Sequence, residues 1–246
     1  DQAAARLAAL SGGDARRALV CLEACAATCV DADDIDERMI VEAFQYRALL
    51  HDKSGDHHYD LLSALHKSLR NSDVQASVYW LARALEAGAD AQHVARRVAA
   101  VAAEDVGLAD PMALQVAMAA VNAVQFLGLP EGRLPLTEAV IYLAAAPKSN
   151  SVTKAISTAM QAVRDGEQYP VPIHLRNATG GVARDLGHGK GYVYAHDTEA
   201  GVAAMQCLPD ALLGAKYYRP GSHGFEQRIA ERMRESDRHR DAHRDD

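Results

Sequence analysis

Aromatic residues are scarce: three Phe, one Trp and nine Tyr make up 5% of 246 residues. A core therefore has to be built mainly from Ala, Leu, Val and Ile. The four cysteines are too few for the disulfide framework of a small secreted domain, and no signal-peptide pattern is present. Both point to a reducing, cytoplasmic setting. No apolar run approaches the ~20 residues of a membrane span. Net positive charge is also missing. Asp and Glu outnumber Lys and Arg 33 to 26, giving −7 before histidine. The chain is no basic nucleic-acid sleeve, and any such contact has to be a local patch. No Met opens the chain and Asp1 to Leu10 already reads as mid-helix, so a fragment of a longer protein is expected. Apolar residues at 49% and charged residues at 24% give an ordinary globular balance. The length suits one large domain or two small ones.

Helical periodicity dominates. Asp14 to Thr28 carries Leu19, Leu22 and three thiols at helical spacing, with Asp14 as the expected cap. Asp33 or Asp34 is expected to open the next helix, through Ile35, Met39, Ile40 and Phe44. His51 to Asp56 is polar and aperiodic, and marks a boundary. From Tyr59, Leu61, Leu62, Leu65 and Leu69 define one face, ending near Arg70. Asp73 opens a helix that stops at Gly88, and Asp90 one that ends near Gly107. Asp110-Pro111 opens a third, a capping carboxylate followed by the imino acid that suits a first turn. It runs through Leu114, Met118 and Val121 to Gly128. Pro135 to Ala145 and Val152 to Arg164 complete the series. Short connections imply antiparallel neighbours in a bundle or short superhelix. After Tyr169-Pro170-Val171-Pro172, glycines and tyrosines replace the Ala-rich helices and the chain reads as extended. Glu226 to Arg234 reads as a last helix, and 236–246 as a disordered charged tail.

Several residue groups invite a chemical reading. Cys21, Cys25 and Cys29 share one helix face. A thiol stripe suggests metal, but zinc prefers Cys-x2-Cys knuckles, so small buried apolar residues are the favoured reading. The pair Glu104-Asp105 with Asp110 is an acid cluster on paper, better explained by a cap and a helix end. His57-His58 beside Asp56 reads as a solvated linker, and Ser149 or Asn150 as a helix cap beside Lys148. No metal site is expected. Lys190, Tyr192 and Tyr194, with Lys216 and Arg219, interleave basic and aromatic side chains, as single-stranded nucleic-acid binders do. The favoured alternative is that these rings pack an arm onto the helices. Finally, Gly13-Asp14-Ala15-Arg16-Arg17-Ala18-Leu19 sets arginines in a first helical turn after a glycine-containing entry, where a guanidinium and the helix amides can face one phosphate.

That last segment, with Ser11-Gly12 before it, resembles the sensor-2 segment in the lid of clamp-loader-type AAA+ ATPases. Further segments resemble the C-terminal region of the RarA/MgsA family, the bacterial relatives of Werner-helicase-interacting protein. They are Tyr59 to Ser68, Tyr79-Trp80-Leu81-Ala82-Arg83, Ala103 to Pro111, Ala146-Pro147-Lys148-Ser149-Asn150, Pro172 to Ala178, Gly187-His188-Gly189-Lys190-Gly191-Tyr192 and Tyr218-Arg219-Pro220. They occur in the family's order over about residues 3 to 226. The resemblance implies a DNA-dependent ATPase acting at stalled or gapped replication forks, with an AAA+ module, a helical lid and a region that assembles homotetramers. It implies ATP and Mg as cofactors of the full-length protein, Arg16 as the sensor-2 arginine meeting the terminal phosphate, and nucleoid association. Single-strand binding protein and helicases are implied partners.

The chain contains no Gly-x4-Gly-Lys-[Ser/Thr] phosphate loop and no apolar strand ending in paired carboxylates, so alone it is expected to be inactive. The expectation is an all-α fold. Residues 1–50 would form the lid, 51–58 a linker, 59–168 a helical oligomerisation domain, 169–225 an irregular region packed on the helices, and 226–246 a terminal helix and tail. The work of such a fragment is assembly. A stand-alone α-helical adaptor that binds a protein partner fits the pattern as well.

Overall fold

The structure is a computed structural model. It describes residues 2–12, 15–28, 35–51 and 56–242, with the backbone alone for residues 16, 17, 28, 45–51 and 56–58. Among the described residues there is no strand, and the fold is all-α. Two compact units form: Asp1–Val98 with Ala120–Ala144, and Ala99–Ala119 with Ala145–Asp246.

The first unit begins with three helices: α1 (Gln2–Ser11), α2 (Ala15–Thr28) and α3 (Glu37–His51). Their small core is Ala3, Cys21, Cys25 and Ile40, flanked by Leu7, Leu10, Ile35, Met39, Ala43 and Phe44. The thiols behave as small apolar side chains. Cys21 Sγ points at the Ile40 carbonyl (3.9 Å) and Cys25 Sγ at that of Met39 (3.5 Å); Cys29 lies outside the described residues. The start of α3 differs from expectation. Asp33 and Asp34 lie outside the described residues, and it is Asp36 whose carboxylate accepts from the Met39 amide at 2.7 Å. Several aspartates compete here, and only the one in register with the first turn can cap it.

Then α4 (Asp56–Arg70) and α5 (Val74–Glu86) form a helix hairpin. Leu61, Leu62, Leu65 and Leu69 of α4 are buried, as are Ser77, Leu81 and Ala84 of α5. The turn is set locally. Ser72 takes the left-handed position (φ 60°), and Asp73 accepts from the Ala76 amide at 2.9 Å. At the far end Gly88 (φ 80°) donates to the Leu85 carbonyl while Ala89 donates to that of Ala84, which terminates α5 and satisfies two of its last carbonyls. Next come α6 (Ala91–Val101), α7 (Ala113–Leu127) and α8 (Arg133–Ala145). Asp90 caps α6 as expected, accepting from the Gln92 amide at 2.8 Å, whereas Asp110 accepts from the Met112 amide at 3.0 Å in the turn before α7, which starts at Ala113 rather than at Pro111. The acids Glu104 and Asp105 fall in a π-turn, Ala102–Val106, that closes the helix before Gly107.

The second unit holds that π-turn, α9 (Ser151–Asp165), the short α10 (Gly181–Asp185) and α11 (Glu226–Ala242). Residues 166–225 are turns and 3-10 segments around α10. The last helix corrects the expected end at Arg234. It continues to Ala242, so 236–242 is helical rather than an unstructured tail; 243–246 lie outside the described residues. Apolar periodicity stops early, but Glu and Arg are good helix formers and Arg240 reaches Asp237 at 2.8 Å.

Candidate functional site

The most elaborate polar arrangement is built on a buried carboxylate. Glu226, the first residue of α11, is completely buried. Tyr218 Oη donates to its Oε1 at 2.9 Å and the Gly221 amide to its Oε2 at 3.0 Å. Ser151 Oγ, on the first residue of α9, makes a short hydrogen bond to Oε1, and Ser149 supplies a further hydroxyl. Burial pushes this carboxyl up, but the hydrogen bonds from Ser149, Ser151, Tyr218 and Gly221 outweigh it and hold the group below its usual range. The same geometry acts oppositely on its partner. Burial first, then the hydrogen bond to Glu226 and its negative charge, push the Tyr218 phenol up to about 12. One carboxylate thus ties the first turns of α9 and α11 to the 218–221 turn.

The surrounding backbone is equally constrained. The Ser149 amide donates to the Asp105 carbonyl at 2.8 Å, and the Phe225 amide to that of Ala109 at 2.8 Å. Gly224 sits at φ 57°, and a Cβ there would run into the Ala109 carbonyl oxygen, so only glycine fits. Asn150 takes the N-cap position of α9 without a side-chain hydrogen bond, and it is Ser149 Oγ that accepts from the Ser151 amide, at 3.2 Å. Lys148 Nζ donates to the Ala146 carbonyl at 2.6 Å. Burial lowers its pKa, against the opposing pull of Asp105. Its ammonium is thus engaged within the fold.

Beyond its root, α9 leaves its apolar face uncovered. Only Ser151 in this helix is buried. Ile156, Met160 and Val163 recur at i, i+4 and i+7 and are 56%, 46% and 79% exposed. In the same unit, Leu114 and Met118 of α7 are also exposed, on a helix that carries no charged residue.

The expected contact residues fall on two segments. Lys190, Tyr192 and Tyr194 follow α10, in a turn held by the Gly189 amide on the Ile173 carbonyl (3.0 Å). Lys216 and Arg219 lie on the 213–220 segment before α11. All five are exposed, with Tyr192 52% and Tyr194 53% open to solvent. Arg16 lies in the first turn of α2, and its side chain is outside the described residues, as are Gly13 and Asp14. The side chains of His57 and His58 are likewise outside them. Sequence reasoning missed the Glu226 hub. Its one available signal was the Tyr218-Arg219-Pro220 segment together with Ser149.

Comparison with known proteins gives these observations a setting. A model described as an AAA C-terminal domain matches residues 1–70. A model described as the MgsA AAA+ ATPase C terminal matches residues 71–237. The two together define the C-terminal helical part of an AAA+ ATPase. The chain belongs to the MgsA AAA+ ATPase family. It is 45% identical over 228 residues to an uncharacterized AAA domain-containing protein of Mycobacterium tuberculosis, covering 92% of this chain and 50% of that one. To the replication-associated recombination protein A of Escherichia coli K12 it is 42% identical over 239 residues, 95% of this chain and 53% of the relative. The ATPase WRNIP1 of Dictyostelium discoideum is 39% identical over 186 residues, 75% of this chain and 21% of that protein. The chain spans about half the length of the two bacterial relatives just named. Among the described residues no helix is long and apolar enough to cross a membrane.

Proposed function

We propose that this chain is the lid and homotetramerisation region of an AAA+ DNA-dependent ATPase that acts in DNA replication, recombination and repair at stalled forks. Residues 1–50 serve as the lid, and the helices and straps that follow assemble several ATPase modules around one DNA substrate. The fragment assembles and does not catalyse. The observation that carries this reading is the uncovered face of α9, where Ile156, Met160 and Val163 form a stripe too apolar for an isolated protomer. Linking weak modules raises their joint affinity for one DNA by effective concentration alone.

ATP and Mg would be held largely by residues outside this chain, which has no phosphate loop. Its own contribution would be Arg16, in the first turn of α2, stabilising charge on the terminal phosphate and coupling lid position to nucleotide state. Single-strand binding protein and helicases are the partners such a machine would meet, in a nucleoid-associated cytoplasmic setting. Light scattering at micromolar concentration tests assembly. Tetramers are expected, and monodisperse monomers would favour the protein-binding adaptor instead. In the longer protein, Arg16→Ala is expected to abolish DNA-stimulated ATP hydrolysis while tetramers persist. Unchanged turnover would remove Arg16 from this role.

A further inference from the structure

The first unit carries a cluster that neither assembly nor the lid uses. On α5, Tyr79 is 53% exposed and meets the half-buried Trp80 edge-on, with ring centroids 5.1 Å apart at 72°. The Arg83 guanidinium lies 6.0 Å from the Tyr79 centroid and 5.8 Å from that of Trp80, and donates to Tyr79 Oη at 3.2 Å. Rings and cation thereby lie side by side on one face of the helix.

Among the described residues no carboxylate forms an ion pair with this cation. Glu86, one turn further along the same face, is opposite Arg133 at 3.9 Å. Arg83 therefore presents unspent donors beside an open ring, which suits an anionic ligand with a flat apolar part. We propose that Tyr79, Trp80 and Arg83 form a stacking site for single-stranded nucleic acid. Two features favour a nucleotide over a peptide. Aromatic faces beside a guanidinium bind successive bases and the phosphates between them without needing sequence. A protein hot spot, by contrast, needs an apolar surround that seals out water. The other exposed positions of this face are Gln75, Ala82 and Glu86, which provide none. The apolar stripe of α9 is the opposite kind of surface.

The inference rests on the DNA-dependent reading for the ligand's biological source, and its test is separable from that reading. Trp80 is the sole tryptophan of the chain, so its emission reports on this site alone. Oligo(dT) of about 16 nucleotides, added to the whole chain at low salt, is expected to quench Trp80 saturably. The midpoint should rise steeply with salt. Tyr79→Ala and Arg83→Ala are each expected to raise the midpoint about tenfold, with unchanged melting temperature, and Tyr79→Phe to keep the wild-type value. Should either alanine variant melt early, Tyr79→Phe and Arg83→Gln carry the comparison, Arg83→Gln being expected to weaken binding alone. Absence of quenching, equal midpoints for wild type and the Arg83 variants, or quenching by a polyglutamate peptide but not by oligo(dT) would each overturn the proposal. Such a failure leaves the ATPase reading standing. Loss of DNA-stimulated hydrolysis in the longer protein with Trp80 quenching intact would fault that reading instead.

Discussion

Two helices of the second unit start from the same carboxylate and end very differently. Ser151 at the first position of α9 and Glu226 at the first position of α11 are joined by one hydrogen bond. From there α9 presents Ile156, Met160 and Val163 to solvent. By contrast α11 presents Arg, Glu and Asp with an Arg240–Asp237 pair, and its only fully buried side chain is Glu226 itself. A helix covered in charge needs nothing beyond its root and its own propensity. A helix with a bare apolar stripe carries an unmet demand for burial, each large apolar side chain being worth ~1.5–3 kcal/mol when covered. This contrast is the physical ground for proposing α9 as the assembly surface.

Substitutions sharpen the contrast in order of size. The double change Ile156→Glu with Met160→Glu is expected to weaken self-association by at least about 100-fold, since burying two unpaired carboxylates costs several kcal/mol. Light scattering reads this, and the melting temperature of the isolated protomer should hold. The matching double change on α11, Arg234→Glu with Arg238→Glu, should leave the oligomer intact. Glu226→Ala is next. It strands the Tyr218 and Ser151 hydroxyls and the Gly221 amide in the interior, at a cost of roughly 2–3 kcal/mol in chemical denaturation. Gly224→Ala should damage the same region by forcing a Cβ against the Ala109 carbonyl, and a wild-type denaturation midpoint would refute that contact.

The hub also predicts pH behaviour with a definite sign. The Glu226 carboxyl is lowered in the fold, so its contribution is full above the ordinary carboxylate value and is lost as pH falls through the folded one. The Tyr218 phenol is raised to about 12, so its contribution is full below 10 and is lost as pH climbs from 10 towards 12. Tyr218→Phe is expected to flatten that alkaline limb and to cost about 1 kcal/mol at neutral pH. The smallest effect is Asp237→Ala on α11, within ~0.5 kcal/mol, as for other exposed ion pairs.

Most helices were legible because their start signals are local. Asp73 and Asp90 cap as expected, and Asp110 shapes the turn before α7, since a side chain reaching two or three residues forward needs no tertiary partner. At the start of α3 the capping carboxylate is Asp36, and which aspartate is in register with a first turn is invisible in composition. The end of α11 was misjudged for a related reason. Apolar period marks only its first turns, while propensity and side-chain pairs carry it to Ala242. The Glu226 hub was illegible because Ser151 and Glu226 are 75 positions apart and join only in the folded unit. The amphipathic spacing of α9 could be read at once, but not that its apolar side faces outward.

On the proposed reading, the apolar face of α9 is covered by another copy of the chain. Hydrogen exchange followed at rising protein concentration tests it most directly. Amides of 156–163 should gain protection as copies associate, while those of 230–240 in α11 stay unchanged. Equal exchange in α9 at every concentration would contradict the account.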